Sequence, residues 1–187
     1  MKPILNRMVN IFTRPREEWQ KIRSEPTTYR NVLLLYVAPL AALPPLAVIA
    51  NSFVFGNHLS SNALAHLLIT NLLWYCMYVL NVVVVGAVIT AIVTADALWT
   101  QLQGFKVAAY SFTPLFIAGF IAVIPKMGWV IYAAMLYSIY LISLGITTIA
   151  GTSKNQSAWY AVASFLAAAI LVGVMNLGEY FLESFVL

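Results

Sequence analysis

From Asn31 to Ala95 the chain carries no Asp, Glu, Lys or Arg, and this run constrains its fold more than any other feature. Soluble domains hold about 25% charged residues. This one is 62% hydrophobic and 9% charged, with a mean hydropathy of +0.87, a composition suited to a bilayer. A spanning helix takes about 20 apolar residues, and five segments qualify: 31–55, 65–94, 107–124, 128–150 and 158–180. They are separated by "GNHLSSNA", "ADALWTQLQGFK", "PKMG" and "TSKNQS". The expected fold is all-α, an integral membrane bundle of five transmembrane helices (31–187) behind an N-terminal amphipathic interfacial segment (1–30). The second segment, at about 1.5 Å per residue, exceeds the ~30 Å hydrocarbon thickness and must tilt or protrude.

Seven of the ten Lys and Arg residues precede residue 31: Lys2, Arg7, Arg14, Arg16, Lys21, Arg23 and Arg30. Basic loops stay on the cytoplasmic side. With the N-terminus inside, Lys106 and Lys154 join those seven and only Lys126 lies outside. The expected placement is therefore multi-pass, with the N-terminus cytoplasmic and the C-terminus outside, carrying Glu179 and Glu183. Trp129 and Trp159 fall where interfacial aromatic belts form. Asn6, Arg7 and Asn10 interrupt "MKPILNRMVNIF" before the apolar core of a signal peptide accumulates, so the N-terminus is expected to be retained. Cys76 has no second thiol and builds no disulfide framework.

The first 30 residues form two short helices in this reading. Ile4, Leu5, Met8, Val9 and Phe12 share one helical face and Lys2, Asn6, Arg7, Asn10 and Thr13 the other, the pattern of a helix lying in the interface. A second helix starts near Pro15 and ends before Pro26, with Trp19 and Ile22 on its apolar face. Arg7, Phe12, Arg14, Pro15, Arg16 and Trp19 are the residues expected to bind membrane or partner. Two readings stand: a platform for a cytoplasmic protein, or an anchor on anionic lipid, to which each basic residue contributes about 1 kcal/mol. A second copy of the chain is a further candidate partner; nucleic acid is not expected.

Residues for chemistry are few. No glycine-rich phosphate loop, paired metal-ligand cysteines or GxSxG elbow is present, and no catalytic residue, cofactor or metal is expected. His58 and His66 could share a helical face, but hydrogen bonding at the interface explains them as well as a metal does. Before Glu179 the spans contain no charge, whereas proton relays and ion-coupled carriers mark their path with one. Asp96 reads as a solvated loop residue, and Glu179 with Glu183 as carboxylates reaching water at a helix end. The function expected is that of a non-enzymatic scaffold or adaptor. A small channel or carrier for an apolar or amphipathic solute is the alternative, and an intramembrane enzyme using Asp96 or a histidine ranks third.

Polar residues inside the spans have structural work to do. Asn51, Ser52, Asn71, Asn81, Thr90, Thr94 and Asn176 are expected to fasten helices together, at roughly 0.6 to 2 kcal/mol each. The pairs Ser157/Ala161, Ala163/Ala167 and Ser164/Ala168 would let the last helix approach a neighbour closely. Pro39, Pro44, Pro45 and Pro114 remove backbone donors and predict kinks. In "AYSFTPLF" (109–116), Pro114 frees the carbonyl of Tyr110, which the hydroxyls of Ser111 and Thr113 stand near enough to satisfy. Tyr110, Ser111, Thr113 and Pro114 are therefore a kink element and, with Asn71 and Asn81, the residues that would line any cavity.

"GFKVAAYSFTPLFIAGFIAVIPKMGWVIYAAMLYSIYLISLGI" (104–146) resembles the core of the Yip family, the Ypt- and Rab-interacting membrane proteins, in its prokaryotic branch. The shared features are a basic residue before an Ala-Tyr-x-x-Thr-Pro run, an Ile-Pro helix end, and a Tyr-rich helix closing on Leu-Gly. "NIFTRPREEWQKI" (10–22) is similar to that branch's Pro-x-x-x-Trp element. The resemblance implies a five-helix membrane domain, placed in the inner membrane of a prokaryote, and, in eukaryotic members, binding of prenylated Rab GTPases. This chain departs from those members in its short cytoplasmic segment and its lack of an Asp-Leu-Tyr-Gly-Pro motif, so Rab binding does not carry over.

Overall fold

The computed structural model describes residues 4–55, 60–93 and 99–186. His58, Thr94 and Asp96 lie outside the described residues, as do the side chains of Glu179 and Glu183. Two short helices, α1 (Ile4–Thr13) and α2 (Pro15–Ser24), form an N-terminal hairpin. The first span is assembled from α3 (Tyr29–Val32), a π-helical turn (Leu33–Val37), α4 (Ala38–Ala41) and α5 (Leu43–Phe55). Then come α6 (Ser61–Ile92), α7 (Gln101–Ser111), α8 (Thr113–Ile121), α9 (Val130–Ala150) and α10 (Lys154–Val186). Among the described residues, five stretches are long and apolar enough to cross a membrane: Tyr29–Val54, Ser61–Ile92, Gln101–Ile121, Val130–Ala150 and Lys154–Gly178.

Proline accounts for the broken spans. The N–H of Ala38 reaches back to the carbonyl of Leu33, five residues rather than four, immediately before Pro39, which has no N–H to continue the ladder. A second break falls at Ala42, ahead of Pro44 and Pro45. The third falls at Phe112, between α7 and α8 and ahead of Pro114.

Among the five, the third span is the least apolar and the most enclosed by protein. Its α7 half lies between α6 and α9, while α8 packs on α5 and α9. Small residues make this possible: a Cβ on Gly86 would stand 2.9 Å from Phe105 Cα, and one on Gly104 would meet Thr90 Oγ1 at 2.1 Å, so α6 and α7 touch almost backbone to backbone. The last helix crosses α6 and α9 with a buried stripe of Ser157, Ala161, Ser164 and Ala168. Ala163, expected in the same role, is exposed.

The third span begins at Gln101, not at 107. Thr100 N–H donates to Gln103 Oε1 at 2.9 Å, a capping box that starts the helix before Lys106. Lys106 is accordingly inside a helix and buried, not in the loop where its charge suggested it would be. Asn81 links α6 to α10, its Nδ2 donating to the carbonyl of Ala168 at 3.2 Å. Asn71 and Asn176 instead satisfy their amides within their own helices, on Leu67 and Val172.

Candidate functional site

Helix α1 turns inward the strip that carries Arg7 and Ile11, with Asn10 half-buried beside it and Asn6 and Thr13 of the polar face exposed. Arg7 is 5% exposed and Ile11 fully covered, whereas Leu5, Val9 and Phe12 of the apolar face are exposed at 70%, 58% and 43%. The segment was expected to lie flat on the membrane as a separate unit; it is part of the bundle. The physical reason is that lipid does not penalise an outward apolar face, while polar groups there must find partners inside the protein.

The partners are on α2 and at its C-cap. Arg7 Nη1 pairs with Glu18 Oε1 at 3.0 Å, and Nη2 pairs with Glu25 Oε2. Asn10 Nδ2 donates to Glu18 Oε2 at 3.0 Å, so both oxygens of a carboxylate only 1% exposed are engaged. The guanidinium also stands over the Tyr110 ring, 5.2 Å from its centre. Burial works against its charge, but the hydrogen bond to Glu25 together with Tyr110 and the Glu18 carboxylate outweighs that and holds the Arg7 pKa above its ordinary value.

Lys106 clamps the far end of α2. Its Nζ donates to the carbonyls of Glu25 at 2.9 Å and Ile22 at 3.3 Å, placing a cation on the otherwise unbonded carbonyl end of that helix. Trp19, fully buried, lies against α9 at Gly145 and meets Tyr110 edge to face at 6.3 Å. Higher on α9, the Tyr137 hydroxyl donates its one proton to the carbonyl of Ile11 at 2.9 Å, with that of Phe12 in range at 3.3 Å, and its ring stacks on Phe12 at 5.6 Å. Gly145 and Tyr137 are eight residues apart, about 12 Å of helix, so the hairpin climbs along α9.

The predicted site residues therefore divide. Arg7 and Trp19, expected on the binding face, are buried clasp residues, because ion pairing and a close fit at Gly145 draw them inward. Arg14, Arg16 and Phe12 are exposed, and Pro15 is half-buried at the start of α2. Lys21, Arg23 and Arg30 are exposed too. The pairing of Arg14 with Glu17, at 3.8 Å, is between exposed groups.

The notch at 109–116 is a closed structural element. Thr113 Oγ1 donates to the Tyr110 carbonyl at 2.8 Å, replacing the donor that Pro114 lacks. Because that uses the only proton of Thr113, the Tyr36 hydroxyl 2.7 Å away is the donor in their contact. Ser111, expected to share this task, has a buried hydroxyl without a partner. The crevices beside Pro44 and Pro45 are lined by Asn71, and by Asn81 with Phe112, Leu115 and Phe116 of the same notch, but not by Tyr110, Ser111 or Thr113.

Glu18, Glu25, Lys106, Tyr36, Tyr137 and Gly145 build the clasp and the kink, and the sequence pattern did not single them out. One signal was available: residues 18, 22 and 25 recur at helical spacing and put two acids on the face that carries Ile22. Among the described residues no three His, Cys, Asp or Glu side chains gather as a metal site.

The sequence pattern of the Yip1 domain matches residues 9–175. Inner membrane protein YohC of Escherichia coli K12 is 24% identical over 182 residues, covering 89% of this chain and 88% of that protein. Its counterpart in Escherichia coli O6:H1 gives the same figures. No solved structure matches at a comparable level.

Proposed function

The chain belongs to the Yip1 domain family, and from that premise we propose that it is a non-enzymatic inner-membrane scaffold whose docked N-terminal hairpin holds anionic lipid headgroups on the cytoplasmic side. One observation carries this reading. Glu18 and Glu25 are engaged by Arg7, so Arg14, Arg16, Lys21, Arg23 and Arg30 are exposed with Glu17 as the one fully exposed acid of α2. The clasp uses Glu18 and Glu25 to hold Arg7 and leaves these five cations outside it with Glu17 as their exposed acidic neighbour on α2. Each cation near an anionic surface contributes about 1 kcal/mol. The exposed Leu5, Val9 and Phe12 add an apolar contact for the same membrane.

Native mass spectrometry of the protein ejected from its own membranes tests this. Retained anionic lipid that is lost in an Arg14→Glu/Arg16→Glu variant supports the reading. Retention unchanged by the reversal contradicts it, and a bound protein lost by the same reversal would replace lipid with an acidic protein partner. The carrier alternative has less support, because the Tyr110 carbonyl and the Thr113 hydroxyl are spent on the kink.

A further inference from the structure

Two adjoining crevices open on the side of the bundle formed by the kinked spans. One, of about 520 Å³, has Asn51, Thr70 and Asn71 on its polar wall. The other, of about 370 Å³, is walled by Trp74, Tyr78, Phe112, Phe116 and Phe165 and contains Asn81. Pro44, Trp74, Tyr78, Gly119 and Ile131 border both, so the second crevice adjoins the first and by itself has the size that takes small organic ligands, roughly 300 to 1,000 Å³. Its shape comes from the prolines: Pro44 presses on Gly119, where a Cβ would stand 2.8 Å from Pro44 Cγ, and the breaks at Ala42 and Phe112 splay the helix halves on either side.

Asn81 supplies the chemistry. It is 3% exposed, and its Nδ2 is fixed by the Ala168 carbonyl, which can only accept; that assigns the other amide atom as Oδ1. Oδ1 has no hydrogen-bond partner. A buried acceptor left unpaired is costly, and a donor brought to it by a ligand would remove that cost. No Asp, Glu, Lys, Arg or His borders either crevice, so the space offers a charged ligand nothing to pair with.

We propose that this crevice is a binding site for a neutral amphiphile, an apolar chain bearing one hydroxyl, with that hydroxyl donating to Asn81 Oδ1 and the chain lying among Trp74, Phe112, Phe116 and Phe165. The site is separate from the hairpin and does not rest on the lipid reading above. A free fatty alcohol and a neutral lipid with an alcohol headgroup share this chemistry.

The test uses the full chain in nanodiscs and a dodecanol carrying a mid-chain diazirine, with the crosslinks mapped by mass spectrometry. The expected result is labelling of crevice residues that 1-dodecanol suppresses about tenfold better than dodecane does, with that preference lost in Asn81→Leu. Suppression by a neutral diacyl lipid with an alcohol headgroup as strong as that by 1-dodecanol would identify the membrane as the source; weaker suppression would identify the free alcohol. Equal suppression by alcohol and alkane, or labelling confined to other surfaces, overturns the proposal. Should Asn81→Leu fail to fold, Ala169→Trp, which fills the crevice from α10 without touching the Asn81 amide contact, must abolish crevice labelling; labelling that persists overturns the proposal as well.

Discussion

Trp19 lies so close to Gly145 that a Cβ added to the glycine would stand 2.9 Å from both Cζ2 and Cη2 of the indole. A fully buried ring has no open direction in which to yield. Gly145→Leu should therefore lever α2 away from α9, with overpacking of about 1 to 3 kcal/mol transferred to the hairpin contact. Limited trypsin digestion reads this: cleavage at Lys21 and Arg23 should accelerate in the variant while the spans remain intact. Unchanged digestion would mean that the indole finds another place.

Arg7→Met leaves the Glu18 carboxylate buried with only Asn10 and a distant Lys21, the latter at 3.8 Å. Removing one partner of a buried pair costs about 3 to 5 kcal/mol, so thermal unfolding in detergent should shift strongly downward. Arg7→Met with Glu18→Leu should recover most of the loss. Because the Arg7 pKa is raised on folding, its stabilisation is fully present below the unfolded value and lost only as pH climbs through the higher folded one. The clasp should accordingly show no titration of Arg7 at neutral or mildly alkaline pH.

At the kink the substitutions should rank. Thr113→Val removes the donor to the Tyr110 carbonyl and the acceptor for Tyr36 together, costing about 1 to 3 kcal/mol for the orphaned groups. Tyr36→Phe breaks only the outer link and should cost about 1 kcal/mol. Pro114→Ala should alter packing and stability and leave lipid retention unchanged. Unfolding midpoints establish the order; Tyr36→Phe costing more than Thr113→Val would contradict the assigned direction of the chain.

The spans were legible because lipid imposes one rule, uncharged apolar length, that local sequence displays directly. The kink at Pro114 was legible for a similar reason, since Thr113 and Tyr110 are three residues apart. The clasp was not. Arg7 meets Glu25 across 18 positions and Lys106 reaches Glu25 across 81, and no periodicity reports such distances. Because an outward side can be apolar in a bilayer, the amphipathic pattern of α1 did not show which side would meet protein: Asn6 and Thr13 of its polar face stay exposed while Arg7 turns in with Ile11. Lys106 misplaced a helix start because a charge normally marks a loop; here it is held by backbone carbonyls of α2.

The most direct measurement of the docked hairpin is thiol labelling in native membranes with a Cys76→Ser background. Arg16→Cys, on the exposed side of α2, should react with a polar maleimide, and Ile22→Cys, 1% exposed in the native residue, should resist until Gly145→Leu is added. Equal reaction at both positions in the otherwise unaltered chain would show the N-terminal segment free of the bundle, and the account of a clasped hairpin would be wrong.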